Sequence, residues 1–298
     1  MFPIIPANSV AAETGNDEGI FGFGWADGYS AITNLISNAG VVASDQAAIT
    51  GSGRHQLAAC EYGGDKGIFG YGETPTATTN LVSNAGVVST DVATAGTNRY
   101  NLAACSYGDD KGIFGFGSAG YLSMTNLVSN AGVVSTDVTG VGTARNNLAA
   151  CEYDGDKGIF GFGYSGSYSA VTNLVSNAGV VASDQAATTG TARRDLAACS
   201  YGGDKGIFGY GGTASPQSVT NLVSNAGVVA TDTAGVGTAR EHGAATQYGQ
   251  DKGIFGFGWS AATSTISVTN LVSNAGVVAT DTAGVGTVRS SVAACSFN

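Results

Sequence analysis

Basic residues are scarce in this chain. Lys and Arg total 12 of 298 residues against 22 Asp and Glu, a formal net charge of −10. Nucleic-acid binders neutralise phosphates with clustered Lys and Arg, so no nucleic-acid partner is expected. Proline occurs four times, which excludes a collagen-like triple helix. No apolar run approaches the ~20 residues of a membrane-spanning helix, so no membrane insertion is expected. The opening MFPIIPANSVAAE has no basic start and reads as a poor signal peptide. Charged residues make up 11%, under half the ordinary ~25%, yet an apolar content of 43% is too high for a disordered polar tract. What is abundant is glycine, 47 of 298 residues, more than twice the usual ~7%.

The glycines are periodic. G-I-F-G-[FY]-G begins at Gly19, Gly67, Gly112, Gly158, Gly206 and Gly253, and T-N-L-[IV]-S-N-A-G-V-V begins at Thr33, Thr79, Thr125, Thr172, Thr220 and Thr269. Six copies of a unit of 45–48 residues account for nearly the whole chain. Each unit reads as four short strands, here 102–107 (A), 112–117 (B), 124–129 (C) and 132–136 (D), joined by turn sequences such as Y-G-D-D-K and S-N-A-G. Helical periodicity is absent. Runs such as I-F-G and G-V-V are apolar at every position, which fits strands buried on both faces.

Four strands in about 47 residues, repeated six times, indicate an all-β fold, a six-bladed β-propeller with four antiparallel strands per blade. An open solenoid is the competing architecture, but solenoids need polar capping repeats and the terminal copies here keep the full apolar pattern. Strand A occurs once more than the ring has places: a degenerate S-V-A-A-E near the start and S-V-A-A-C at the end. The expected solution is a clasp in which the C-terminal copy completes the first blade. Residues 1–14 are then an arm or spare strand, and 15–298 the propeller.

The order R-x2-L-A-A, an apolar strand ending in G-x-G, a variable loop and T-N resembles the kelch-type propeller repeat, without the usual double glycine and fourth-strand tryptophan. The opening P-I-I-P-A-N-S and the blades D-K-G-I-F-G-F-G…T-N-L-V-S-N-A-G-V-V resemble glycine-rich repeat proteins of marine and cyanobacterial phage virions. That resemblance implies a structural or fibre component, made in the host cytoplasm and located in the virion, with other virion proteins as partners.

Polar residues also fall in columns. Arg54, Arg99, Arg145, Arg193, Arg240 and Arg289 recur, each eight or nine residues after Asp45, Asp91, Asp137, Asp184, Asp232 and Asp281. Six repeated guanidinium groups are either a ring of ligand sites or a structural tie that every blade interface needs. Cys60, Cys105, Cys151, Cys199 and Cys295 share a column with Thr246. An odd count at this spacing fits neither a disulfide framework nor a metal site, and they read as small buried apolar residues. His55 and His242 are isolated. Aspartates of the A–B turns serve turn geometry or weak calcium binding, although no D-x-D-x-D-G loop occurs. No G-x-S-x-G elbow or G-x4-G-K-[ST] loop is present, so neither an enzyme nor a cofactor is expected.

Variation concentrates in the B–C loops, which hold Trp25, Tyr29, Tyr121, Tyr164, Tyr168 and Trp259. Strand alternation places B–C and D–A loops on one face of the disc. Exposed aromatics there suit partner docking or stacking on a surface glycan; alternatively they cap blade edges. Trp25 and Trp259 are expected to be neighbours at the ring seam.

Overall fold

The apolar I-F pair of each repeat sets the architecture, because it is wholly buried between a short apolar strand on one side and the T-N-L-[IV] strand on the other. The structure, a computed structural model, describes residues 16–47, 51–73, 77–186 and 190–298. They form six small antiparallel sheets in a propeller-like arrangement, with no helix. Residues 1–14, expected as an arm, lie outside the described part.

Each sheet has an inner, a middle and an outer strand. Sheet 1 takes its inner strand, Ala293–Phe297, from the end of the chain, followed by Glu18–Gly22 and Thr33–Ile36. Sheet 2 is Ala58–Tyr62, Lys66–Gly70 and Thr78–Val82; sheet 3 is Ala103–Tyr107, Lys111–Ser118 and Tyr121–Val128. Sheets 4 and 5 are Ala149–Tyr153, Lys157–Gly161, Thr172–Val175 and Ala197–Tyr201, Lys205–Gly209, Thr220–Val223. Sheet 6 is Ala244–Tyr248, Lys252–Ser260 and Ser264–Val272. The register repeats throughout: Cys60 faces Ile68 and Tyr62 faces Lys66 in sheet 2, as Cys295 faces Ile20 and Phe297 faces Glu18 in sheet 1.

The expected fourth strand does not form at G-V-V-S-T in any described repeat: among the described residues a fourth strand occurs only in sheet 2, as the two residues Val92–Ala93 beyond that segment. Elsewhere in the described residues the segment after S-N-A-G touches the outer strand through isolated bridges such as Ile36–Val42 and Val128–Val134. A side chain replaces the missing rungs: the amide of Asn34 donates to the Ala43 carbonyl and to Asp45, both at 3.0 Å, and Asn126 does the same to Ser135 and Asp137. Nor is G-V-V buried on both faces. The first valine (Val41, Val87, Val133, Val180, Val228, Val277) is 64–66% exposed, and only the second turns inward.

Between sheets the packing is aromatic. The middle-strand Phe of one sheet meets the [FY] of the sheet before it at ring-centroid distances of 5.1–5.3 Å: Phe69 on Phe23, Phe114 on Tyr71, Phe160 on Phe116, Phe208 on Phe162, Phe255 on Tyr210 and Phe21 on Phe257. To reach across, the [FY] residue leaves the strand in the left-handed region, with φ of 61–64° at all six positions. The glycine after it is obligatory: Gly163 has φ 106°, and a Cβ there would lie 2.7 Å from the Asn146 carbonyl. Thus G-[FY]-G is a left-handed bulge, visible as a register shift between Gly115 and Gly117.

Candidate functional site

The six arginines occupy these bulges. Each is fully or almost fully buried, with its guanidinium 3.8–4.6 Å from the [FY] ring centroid of the preceding sheet: Arg54 over Phe23, Arg99 over Tyr71, Arg145 over Phe116, Arg193 over Phe162, Arg240 over Tyr210 and Arg289 over Phe257. Within its own sheet the Nε of five of these arginines donates to the carbonyl of the left-handed residue: Arg54 to Tyr71, Arg99 to Phe116, Arg145 to Phe162, Arg193 to Tyr210 and Arg289 to Phe23, at 2.7–2.9 Å. A strained residue is therefore held by a charge-assisted bond on one side and ring packing on the other. Burial pulls Arg54, Arg145, Arg193 and Arg289 down to about 10, partly offset by their aspartates, so all four stay charged at neutral pH.

Asp45, Asp91, Asp137, Asp184, Asp232 and Asp281 reach the same knot. They lie 3.7–4.0 Å from the guanidinium at Arg289, Arg54, Arg99 and Arg193, and hold the D–A loop directly, as Asp184 does by accepting from the Thr143 N–H at 3.0 Å. Burial works against these carboxylates, but the Thr (or Ser52), Asn and Arg contacts outweigh it, and all six titrate below the usual range. The geometry gives the Arg and Asp columns a tie within each sheet and a ring contact between sheets.

The cysteines are free and buried, and burial raises every thiol, Cys199 to about 12. Together with Thr246 and with Glu61, Ser106, Glu152, Ser200 and Gln247 they line the wall of a narrow central passage; Ser296, the residue after Cys295, is wholly buried. These pair across sheets, Ser296 with Glu61, Ser106 with Glu152, and Ser200 with Gln247 at 2.9 Å. At one mouth, Glu61, Glu152, Asp65, Asp109, Asp154 and Asp156 border a cavity of about 560 Å³. Among the described residues no group of His, Cys, Asp or Glu is arranged to hold a metal ion.

The opposite mouth carries a ring that sequence reasoning missed. Gln56, Asn101, Asn147, Asp195, His242 and Ser291, each two residues after a repeat arginine, all have φ of 52–57°. Their backbones bond head to tail: Asn101 N–H to Gln56, Asn147 to Asn101, Asp195 to Asn147, His242 to Asp195, Ser291 to His242, and Gln56 to Ser291, at 2.7–3.1 Å. Its fixed offset from the arginines and the polar character of all six side chains are the signals that could have marked this column.

The B–C and D–A loops do share one face, as Trp25 N–H to the Ser290 carbonyl and Tyr164 N–H to the Asn146 carbonyl show, both at 2.8 Å. A–B and C–D turns share the other, where Asn130 bonds Asp110 and Asn177 bonds Asp156. The predicted aromatics form two groups on the loop face. Trp25 meets Tyr29 edge-on at 5.4 Å, and both contact His55, with Tyr29 stacked on it at 5.2 Å. Tyr164 contacts Tyr121 and Tyr168, with Arg194 over Tyr164 at 5.3 Å. Trp259 bridges Glu241 through its backbone and, among the described residues, makes no ring contact with Trp25. Compared with known proteins, the chain matches no family model and no curated sequence.

Proposed function

We propose that the chain is a closed six-bladed β-propeller acting as a non-enzymatic interaction scaffold, a component of a phage particle that docks through its loop face. One observation carries the reading: the repeated buried polar groups are engaged in recurring ties between and within sheets, whereas departures from six-fold repetition are concentrated in the loops of one face, whose B–C loops carry the large exposed aromatics. Closure is supported by two cyclic series, the Phe–[FY] contacts ending in Phe257–Phe21 and the head-to-tail backbone bonds that return from Ser291 to Gln56, and by the pairing of Ala293–Phe297 with Glu18–Gly22. The virion assignment rests on the resemblance of the repeats. Its test is recovery of the chain's peptides from density-banded particles released by the cells that make it. Enrichment alongside the major capsid protein is the expected result; confinement to the soluble lysate overturns the assignment.

A further inference from the structure

One corner between sheets 1 and 2 breaks the repeat at several consecutive positions. Five copies carry Thr two residues before the arginine, and the carbonyls of Thr97, Thr143, Thr191, Thr238 and Thr287 each accept from the arginine Nη1 at 3.1–3.3 Å. The sixth copy carries Ser52 there, and Arg54 Nη1 is buried without a hydrogen-bond partner, with Asp91 Oδ1 3.7 Å away. The next residue is Gly53, where the other copies have Asn98, Ala144, Ala192, Ala239 and Val288. A Cβ at Gly53 would lie 2.7 Å from the Tyr29 carbonyl, so the B–C loop of sheet 1 rests on this glycine. His55 then supports Tyr29 by stacking, and Glu73 holds His55 Nε2 at 3.1 Å. A cavity of about 800 Å³ opens at this corner, lined by Tyr29, Arg54, Glu73, Asp91 and Tyr100 among others.

We propose that this cavity binds a neutral saccharide. A pyranose ring offers what the walls lack: an apolar C–H face for the 55% exposed Tyr29 and hydroxyls that both donate and accept. Glu73 and the part-exposed Asp91 accept from sugar hydroxyls, while Arg54, wholly buried behind them, holds Asp91 in place. Two carboxylates in the wall and a net charge of −10 select against anionic sugars. The volume falls within the range of small-ligand sites. The inference rests on the reading of the loop face as the interaction face and assigns one corner of it a ligand class.

Isothermal titration of the full chain tests it, with methyl glucoside, methyl galactoside, methyl mannoside and N-acetylglucosamine, and sialic acid as the anionic control. Concentrations up to about 10 mM saturate a millimolar site. The expected result is saturable heat with at least one neutral sugar. Binding then weakens about tenfold or more in Tyr29→Ala and in Glu73→Gln, and is unchanged in Val180→Ala, an exposed position beside a C–D turn on the opposite face. Melting curves of the variants, matched to the parent, separate lost contacts from lost fold. No saturable heat with any neutral sugar, preference for sialic acid, or undiminished binding by both Tyr29→Ala and Glu73→Gln overturns the proposal. If the chain is nevertheless recovered in particles, the scaffold reading stands and only the saccharide site falls.

Discussion

The second residue of each middle strand is a glycine that faces the inner strand of the sheet before it. A Cβ on Gly158 would lie 2.5 Å from Cys105 Sγ, and the same holds for Gly67, Gly112, Gly206 and Gly253 against Cys295, Cys60, Cys151 and Cys199, at 2.4–2.6 Å. Glycine is thus required for a sulfur to seat between sheets, rather than for one backbone to approach another. The sixth interface solves the contact with a smaller intrusion, Gly19 against a methyl of Thr246 at 3.0 Å. Gly158→Ala should therefore destabilise by about 1–3 kcal/mol through overpacking. Cys105→Ala should cost about 1 kcal/mol or more through the lost contact. The double substitution should recover part of the loss, because the new methyl occupies the space the sulfur vacates. Denaturant titration of the four proteins gives the coupling; strictly additive losses would mean that the two residues do not share that space.

At the scale of elements, the inner and middle strands and the start of the outer strand were legible because their residues are dictated by burial alone. Ile68, Phe69, Ile159 and Phe160 are wholly buried, and a turn sequence brackets each run. The fourth strand was not legible, because G-V-V has strand composition while Asn34, Asn80 and Asn126 on the neighbouring strand supply by side chain the bonds a backbone ladder would make. Arg and Asp could be seen as a repeated pair, but not which groups they serve: the carbonyl of a left-handed aromatic has no sequence signature apart from the glycine behind it. The aromatic positions of the loop face were equally visible, and their division into a Trp25–Tyr29–His55 group and a Tyr121–Tyr164–Tyr168 group was not, since it depends on which loops lean over which interface. The sheet assembled from both chain ends makes a direct prediction. Deleting residues 291–298 removes the inner strand of sheet 1, and with it Phe297, Cys295 and the Ser296–Glu61 contact. The truncated chain should melt at least about 10 °C lower or lose cooperative unfolding, since several kcal/mol of buried apolar contact disappear. A peptide spanning 288–298 added in excess should restore part of the difference. An unchanged melting curve would show that the strand is dispensable.

The whole molecule owns one property that none of its sheets has alone, the central passage. Glu61 and Glu152 come from non-adjacent sheets, yet both face it. Burial there raises Glu61, and burial together with the charge of Glu61 pushes Glu152 up to about 8 against the opposing Ser106 bond. The folded protein therefore holds protons that the unfolded chain, with glutamate near 4.5, releases as the pH rises. This contribution to stability is complete below pH ~4.5 and is lost progressively as the pH approaches 8. The aspartates of the arginine knots act in the opposite sense: their lowered values stabilise above the unfolded 3.8, and that stabilisation is lost as the pH falls below it. The two sets together place maximum stability near pH 5. The melting temperature should fall between pH 5 and pH 8, and Glu152→Gln, which removes one of the two shifted charges while keeping an acceptor for Ser106, should flatten part of that slope. A flat or rising profile in the parent protein would mean that Glu152 is solvated as an ordinary surface carboxylate. That outcome would also count against a closed ring, because only six inner strands gathered around one axis enclose the group enough to hold its proton.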